Sequence, residues 1–348
     1  MPCSKNNLIP VSMPMTPTIS THDGFSSISG RRLYICDNPE PLNASVFAGG
    51  PMATMWSELV PNTTSVSYRL FVWHHNPSSD TTRKYGVTIG NAGASAVTVG
   101  GIRYDSVVGT NSNFLNVVGT CLAETLLAQS YSSAPNITIG LNKVQTILEF
   151  ELKPNEVRGL LVEFTLTSPT PITARIRTVA GSTASQVLNT WQGSVIGTVG
   201  GHPRGSWNYS EVQGSGRTIS FGAAASMNGI SVLGAASPVF PEPSPSGGML
   251  ANPAGFGGIY NINLTLQNTS GKQQTADLYL NPRGGAFVGA VKVGSNPVAG
   301  IPVTQAAVQG VKIGGFSINA GQSVTVPVRI TSGGGASTPV ALVLHNRG

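Results

Sequence analysis

Charge is what this chain has least of. Asp, Glu, Lys and Arg make up 10% of its 348 residues, against roughly 25% in an average soluble protein. A surface covered mainly by Ser, Thr, Asn, Gln and Gly has little repulsion to hold copies apart, so it tolerates close packing of neighbouring subunits. The net charge of +6 comes from 20 basic and 14 acidic residues, and no long run of Lys or Arg collects them. The nearest approach to a basic stripe, Arg83-Lys84-Tyr85, is too short for a nucleic-acid footprint, which excludes that partner. Long apolar runs are missing as well: no stretch nears the ~20 residues a helix needs to cross a bilayer, so membrane insertion is not expected. The first thirty residues hold neither a basic n-region nor an unbroken apolar stretch, and no signal peptide is recognisable. Three cysteines, Cys3, Cys36 and Cys121, lack C-x-x-C spacing and nearby paired histidines, which argues against a zinc site. Two readings of them stand: idle or buried thiols, or a crosslink from Cys3 to another subunit.

Turn-forming residues are abundant. The 43 Gly and 24 Pro, with few surface helix formers beside them, predict an all-β protein without long helices. Short β-rich runs recur at about ten-residue spacing, the mark of a sandwich or barrel. They include Ser67 to Trp73, Tyr85 to Ile89, Ala96 to Val99, Gln145 to Leu152, Gly159 to Thr167 and Ile172 to Val179. Asn76-Pro77 and Asn91-Ala92-Gly93 supply turns, and Phe114 to Ser130 has the one helical spacing, through Leu115, Val118, Leu122 and Leu126. A Pro/Ser/Gly stretch at Ser237 to Gly248 reads as a linker or long loop. Beyond it the first theme returns at Ile259 to Leu266, Thr275 to Leu280, Ala286 to Val293, Ser323 to Ile330 and Val340 to Leu344, which suggests an architectural duplication.

The expected organisation is two β-sandwich or jelly-roll-like domains with an extended N-terminal arm. The arm occupies 1–30, the first sandwich 31–200, a loop-rich connection 201–258 and the second sandwich 259–348. Pro2, Pro10, Pro14 and Pro17 block helix in the arm while Ile9, Val11, Met13 and Met15 alternate with other residues. An apolar alternating arm can add a strand to a neighbour's sheet, so Cys3, Ile9, Val11, Met13 and Met15 are the candidate assembly residues, and copies of the chain are the expected partner.

Candidate chemistry is sparse. His74-His75, with His202 and Arg204, is the one cluster that could make a site; neighbouring strand residues face opposite ways, so only one of the pair could share a metal with His202. Hydrogen bonds to loop carbonyls are the preferred role for the pair, and no metal or other cofactor is expected. Neither G-x-S-x-G nor H-E-x-x-H occurs, and Glu149 with Glu151 would lie side by side on a solvated strand face, so no catalytic residue is assigned and an enzyme is not expected. Asn281-Pro282-Arg283-Gly284-Gly285 reads as a tight turn with Arg283 bonding backbone carbonyls. The sequons at Asn62-Thr63-Thr64 and Asn263-Leu264-Thr265 arise readily by chance. Trp56, Trp73, Trp191 and Trp207 either anchor cores or offer a stacking face to cell-wall glycan.

At Tyr68-Arg69-Leu70-Phe71-Val72-Trp73-His74-His75-Asn76 and from Asn281 to Ala290, the chain resembles a family of uncharacterised Gram-positive (Bacillota) surface proteins, some of which carry copper-amine-oxidase-like stalk domains. His202-Pro203-Arg204-Gly205-Ser206-Trp207 and Gly333 to Leu344 are similar in the same way, and the similarity spans 33–344. The resemblance implies an extracytoplasmic, all-β protein. Family members usually carry export signals, which this sequence does not show; assembly inside a mother cell, as for spore-surface fibres, needs none. The expected role is a non-catalytic structural subunit of an extracellular or spore-surface fibre or layer. The alternatives are a glycan-binding or adhesive cell-surface module, or a viral capsid or fibre protein.

Overall fold

The structure, a computed structural model, describes residues 7–21, 25–233 and 250–348. The arm supplies β1 (Pro10–Ser12), β2 (Thr18–Ser20) and β3 (Phe25–Ser29). The first half continues with β4 (Arg32–Cys36), β5 (Met52–Leu59), β6 (Ser65–His75), β7 (Arg83–Asn91) and β8 (Val97–Thr110). A π-helical turn at Leu115–Gly119 runs into α1 (Thr120–Ala128), where the helical spacing was read. After it come β9 (Ser132–Ser133), β10 (Ile137–Ile139), β11 (Val144–Leu152), β12 (Glu156–Thr167) and β13 (Ala174–Gly181). The middle of the chain forms β14 (Arg204–Trp207), β15 (Glu211–Gly214), β16 (Arg217–Phe221) and β17 (Ser226–Val232). The last part is β18 (Ile259–Asn268), β19 (Gln274–Pro282), β20 (Phe287–Val293), β21 (Ala299–Thr304), β22 (Gln309–Ile318), β23 (Ser323–Ser332) and β24 (Val340–Asn346).

These strands form two face-to-face pairs of sheets, an all-β sandwich architecture. In the first unit a sheet of order β10-β8-β12-β6-β4-β14 faces one of order β11-β7-β13-β5. Tyr34, Leu70, Val72, Leu160, Val162 and Phe164 from the larger sheet meet Tyr85, Val87, Ile89 and Ile176 from the smaller in one buried core. The second unit pairs β1-β22-β19-β24-β17-β2 with β21-β20-β23-β18-β15-β3.

The duplication is visible strand by strand. The run β10-β8-β12-β6-β4 of the first unit corresponds to β22-β19-β24-β17-β2 of the second. In both, the final pair alone is parallel (β6 with β4, β17 with β2) and the other pairings are antiparallel. A buried asparagine marks the same corner in each unit. Asn91, ending β7, donates through Nδ2 to Ser95 O (2.9 Å) and Ile139 O (3.1 Å) and accepts from Gly93 N–H (2.9 Å). Asn268, ending β18, donates to Lys272 O (2.9 Å) and Ile318 O (2.9 Å) and accepts from Ser270 N–H (2.9 Å). One amide thus closes its own turn and clamps the turn before the partner strand, which supplies the backbone groups of both turns with partners inside the protein.

The larger sheet of the first unit is covered on both faces. Alternate residues of β4, β6 and β12 enter the first core, while Leu33, Ile35, Phe71, Trp73, Val157 and Leu161 point the other way into the second unit's core. A strand buried on both faces reads as a continuous apolar run rather than an alternating one, which accounts for Leu70-Phe71-Val72-Trp73 and Leu160-Leu161-Val162. Phe71 stacks on Phe256 with centroids 5.6 Å apart. Gly334 stands against the Trp73 ring and Gly333 against the backbone of Gly119, where a Cβ on either would come within 3.0 Å of those atoms. A polar pin completes the joint: Arg69 donates to Glu163 (2.6 Å), Ser210 O (3.4 Å) and Gly257 O (3.3 Å).

Three expectations about organisation are corrected. The connection 201–258 is not loop-rich among its described residues: β14 pairs with β4, while β15, β16 and β17 belong to the sheets of the second unit. Their runs are only four to seven residues long, too short for alternation to stand out, so neighbouring strands decide the conformation. The second unit accordingly begins near Ser210 rather than at 259. The arm is extended, yet it folds onto its own chain: β1 pairs with β22, β2 with β17 and β3 with β15. The second unit is therefore built from both ends of the chain. The whole of Ser237 to Gly248, read as a linker, lies outside the described residues.

Candidate functional site

β4 ends at Cys36, and the chain then turns through Asp37, Asn38, Pro39 and Glu40 against the segment that leads into β14. The Asp37 N–H donates to Pro203 O (3.0 Å). The Asn38 amide donates to Val199 O (2.9 Å) and His202 O (3.2 Å) and accepts from Val199 N–H (2.9 Å). This clamp sets the His202 imidazole between two carboxylates, with Nδ1 3.5 Å from Asp37 Oδ2 and Nε2 3.2 Å from Glu40 Oε2. Trp73 Nε1–H donates to the other Glu40 oxygen (3.1 Å). One ligand-type atom from each of Asp37, Glu40 and His202 lies within 4.8 Å of the other two.

Burial pushes the Asp37 carboxyl up to about 7, against the lowering effect of its hydrogen bond with His202. That same hydrogen bond raises the His202 imidazole. His74 behaves oppositely: it enters the first core, its Nδ1 lies 2.9 Å from Pro39 O, and burial drives it down to about 4, so it is neutral at physiological pH. His75, on the other strand face, is lowered by burial and raised by Glu40, with burial the larger effect. Its Nε2 is buried without a hydrogen-bond partner among the described residues.

The four residues singled out in sequence are therefore dispersed. His202 does face a site, but its neighbours are Asp37 and Glu40. Arg204 is buried, donates to Met55 O (2.9 Å) and Ile196 O (3.1 Å), and lies over the Trp56 ring at 5.6 Å. Asp37 and Glu40 were missed because a strand-end Asp-Asn-Pro-Glu is an ordinary turn until His202, distant in sequence, is brought over it. Of the tryptophans, Trp56, Trp73 and Trp207 are buried and offer no stacking face for a sugar. Glu149 and Glu151 are exposed on β11, as a solvated face requires. At Asn281 to Gly285 the backbone donates from Arg283 and Gly284 to Pro339 O, and Arg283 Nη1 donates to the Asn281 side-chain oxygen (3.3 Å) rather than to a backbone carbonyl.

The assembly residues divide. Ile9, Val11 and Met15 are 77%, 40% and 42% exposed. Met13 is half-buried against the cluster of Met227, Tyr279, Ala341 and Val343. Cys3 lies outside the described residues; Cys36 is a free buried thiol that burial pushes up to about 12, and Cys121 is disulfide-bonded. A cleft of about 430 Å³ on the outer face of the four-stranded sheet is lined by Lys143, Arg175 and Arg177 with Asn142, Thr173 and Gln192. The Arg177 Nη1 is buried without a hydrogen-bond partner among the described residues. No helix among these residues is long and apolar enough to cross a membrane.

No family model matches the chain, and no curated protein matches it. Among solved structures it is similar to the CUB1-EGF-CUB2 domain of human MASP-1/3, at 12% identity over 85% of this chain and 100% of that one, with a TM-score of 0.18. It is also similar to the tandem CBM22-1-CBM22-2 domain of Paenibacillus barcinonensis Xyn10C, at 7% identity over 92% of each chain, with a TM-score of 0.17. Lac15 from a marine microbial metagenome shares 13% identity over 92% of this chain and 61% of that one, with a TM-score of 0.14. Scores this low carry no functional argument.

Proposed function

We propose that the chain is a non-catalytic structural subunit of an extracellular, cell-surface or spore-surface fibre or layer, and that copies join through the N-terminal arm. The observation that carries this reading is the apolar stripe of Ile9, Val11 and Met15, exposed on and beside β1. Arm strands sit at both ends of the six-stranded sheet, β1 at one and β2 at the other. An open strand edge beside exposed apolar side chains is a template for pairing. An edge-to-edge contact of β1 with β2 of the next copy is head-to-tail, and such contacts build a filament when the rotation between copies does not close a ring. The low surface charge favours such contacts. Ile9→Lys and Val11→Lys change exposed positions, where substitution shifts stability by only about 0.5 kcal/mol. Negative-stain microscopy and light scattering should show concentration-dependent filaments or layers for the wild type and monomers for both variants. A wild type that stays monomeric at high concentration refutes the proposal.

A second reading, an adhesive module for acidic glycan, is favoured by the basic cleft. Lys143, Arg175 and Arg177 line it with no acidic residue among the lining, and guanidinium groups recognise carboxylates through paired hydrogen bonds. On an array of acidic and neutral oligosaccharides, this reading expects retention of the acidic ones and its loss in Arg177→Ala. Retention of neutral sugars alone, or binding unaffected by the substitution, overturns it.

A further inference from the structure

We propose that Asp37, Glu40 and His202 bind one divalent first-row transition cation, with Zn2+ as its representative. Their ligand atoms already lie within 4.8 Å of one another; to share an ion at about 2.0–2.2 Å they converge on one imidazole nitrogen, and the carboxylate now beside the other ring nitrogen swings to that side. The site is built rather than accidental. Asn38 fixes the backbone that carries His202, and the Trp73 indole N–H orients the Glu40 carboxylate, in the way that outer hydrogen bonds hold metal ligands.

A second, independent observation comes from Asp37. Its residue is 2% exposed, one carboxylate oxygen faces His202, and the other, Oδ1, is buried with no hydrogen-bond partner among the described residues. A carboxylate oxygen left unmet in the interior is costly, and a cation held by both Asp37 oxygens satisfies it. A histidine–carboxylate ion pair alone explains the His202 contacts but leaves Oδ1 unmet. Entry is open, since the His202 and Glu40 side chains are 43% and 25% exposed.

The donor set selects the class of ion. Ca2+ and Mg2+ prefer oxygen ligands throughout, whereas an imidazole nitrogen with two carboxylates suits zinc and its first-row neighbours. Three protein ligands leave a fourth position for water or a donor from another molecule.

Calorimetric titration of the full chain, stripped with EDTA, should show one Zn2+ site per chain and weaker binding of Ca2+ and Mg2+. Asp37→Asn and His202→Gln should each weaken Zn2+ at least about tenfold, the smallest loss seen when even an outer partner of a metal ligand is removed. Co2+ should give a visible absorption band that His202→Gln abolishes. Circular dichroism in EDTA confirms that the variants fold; His202 lies on a partly exposed segment, so His202→Gln keeps the test available if Asp37→Asn is unstable. Failure of the wild type to bind Zn2+, or equal binding by wild type and a folded variant, overturns the assignment.

Discussion

Glu163→Gln should lower the free energy of unfolding by about 3–5 kcal/mol, the usual cost of removing one partner from a buried ion pair. The Glu163 side chain is 0% exposed and receives Arg69 Nε at 2.6 Å, Arg31 Nε at 3.1 Å and the guanidinium of Arg103. Arg69, 3% exposed, loses its nearest counter-charge in the variant; Glu211, 3.5 Å away and 28% exposed, and the backbone acceptors at Ser210 and Gly257 replace it only in part. Arg103 and Arg31 are 36% and 28% exposed, so water takes over much of their solvation, and Arg103→Ala should cost only about 0–1 kcal/mol. Burial by itself would raise the Glu163 carboxyl, but Arg69, Arg103 and Arg31 outweigh it and hold the group below its ordinary value of 4.5. The folded state thus favours the ionised form. Its contribution is complete above 4.5 and fades as the pH falls through the lower folded value. Urea unfolding of wild type and Glu163→Gln should therefore differ most at neutral pH and converge in acid. Equal midpoints at neutral pH would show that the pin does not stabilise the joint.

The second large effect is expected at the joint itself. Gly333→Val places a side chain where a Cβ already comes within 3.0 Å of Gly119 Cα, carbonyl carbon and oxygen. Backbone lies on both sides, so no rotamer relieves the clash, and the cost should reach or pass the upper end of the 1–3 kcal/mol typical of overpacking, about 3 kcal/mol. Because Phe71, Trp73, Leu122 and Phe256 share one core with Val288 and Leu342, the wild type should unfold in a single calorimetric transition. In Gly333→Val the first unit should melt separately from the second. A single transition at the wild-type temperature would refute the close-approach argument.

Much of the β architecture was legible because local pattern and tertiary environment agree. The turn asparagines Asn91 and Asn268 stood in the sequence at equivalent places, and each holds the corner of its unit. The apolar runs through Phe71 to Trp73 and Leu160 to Val162 were legible as strands, but not as strands covered on both faces, since the covering residues come from the helical segment at 114–127 and from the second unit, distant in sequence. β15, β16 and β17 escaped detection because Glu211 to Gly214 and Arg217 to Phe221 alternate over only four and five residues, and Asn228-Gly229 interrupts the alternation in Ser226 to Val232. Gly333-Gly334-Gly335 read as a motif of unspecified purpose; its purpose is the closeness of Gly119 and Trp73.

The shortage of charge, the turn-rich composition and the spacing of apolar runs determined by themselves that this chain forms strands and sandwiches, since these follow from propensity and the two-residue period of a strand. Tertiary structure decided which side chains meet. It brought His202 over Asp37 and Glu40, drew Glu163 together with Arg31, Arg69 and Arg103, and laid the arm along the second unit. The reason is physical: strand pairing joins residues far apart in sequence, and its register depends on what each face buries.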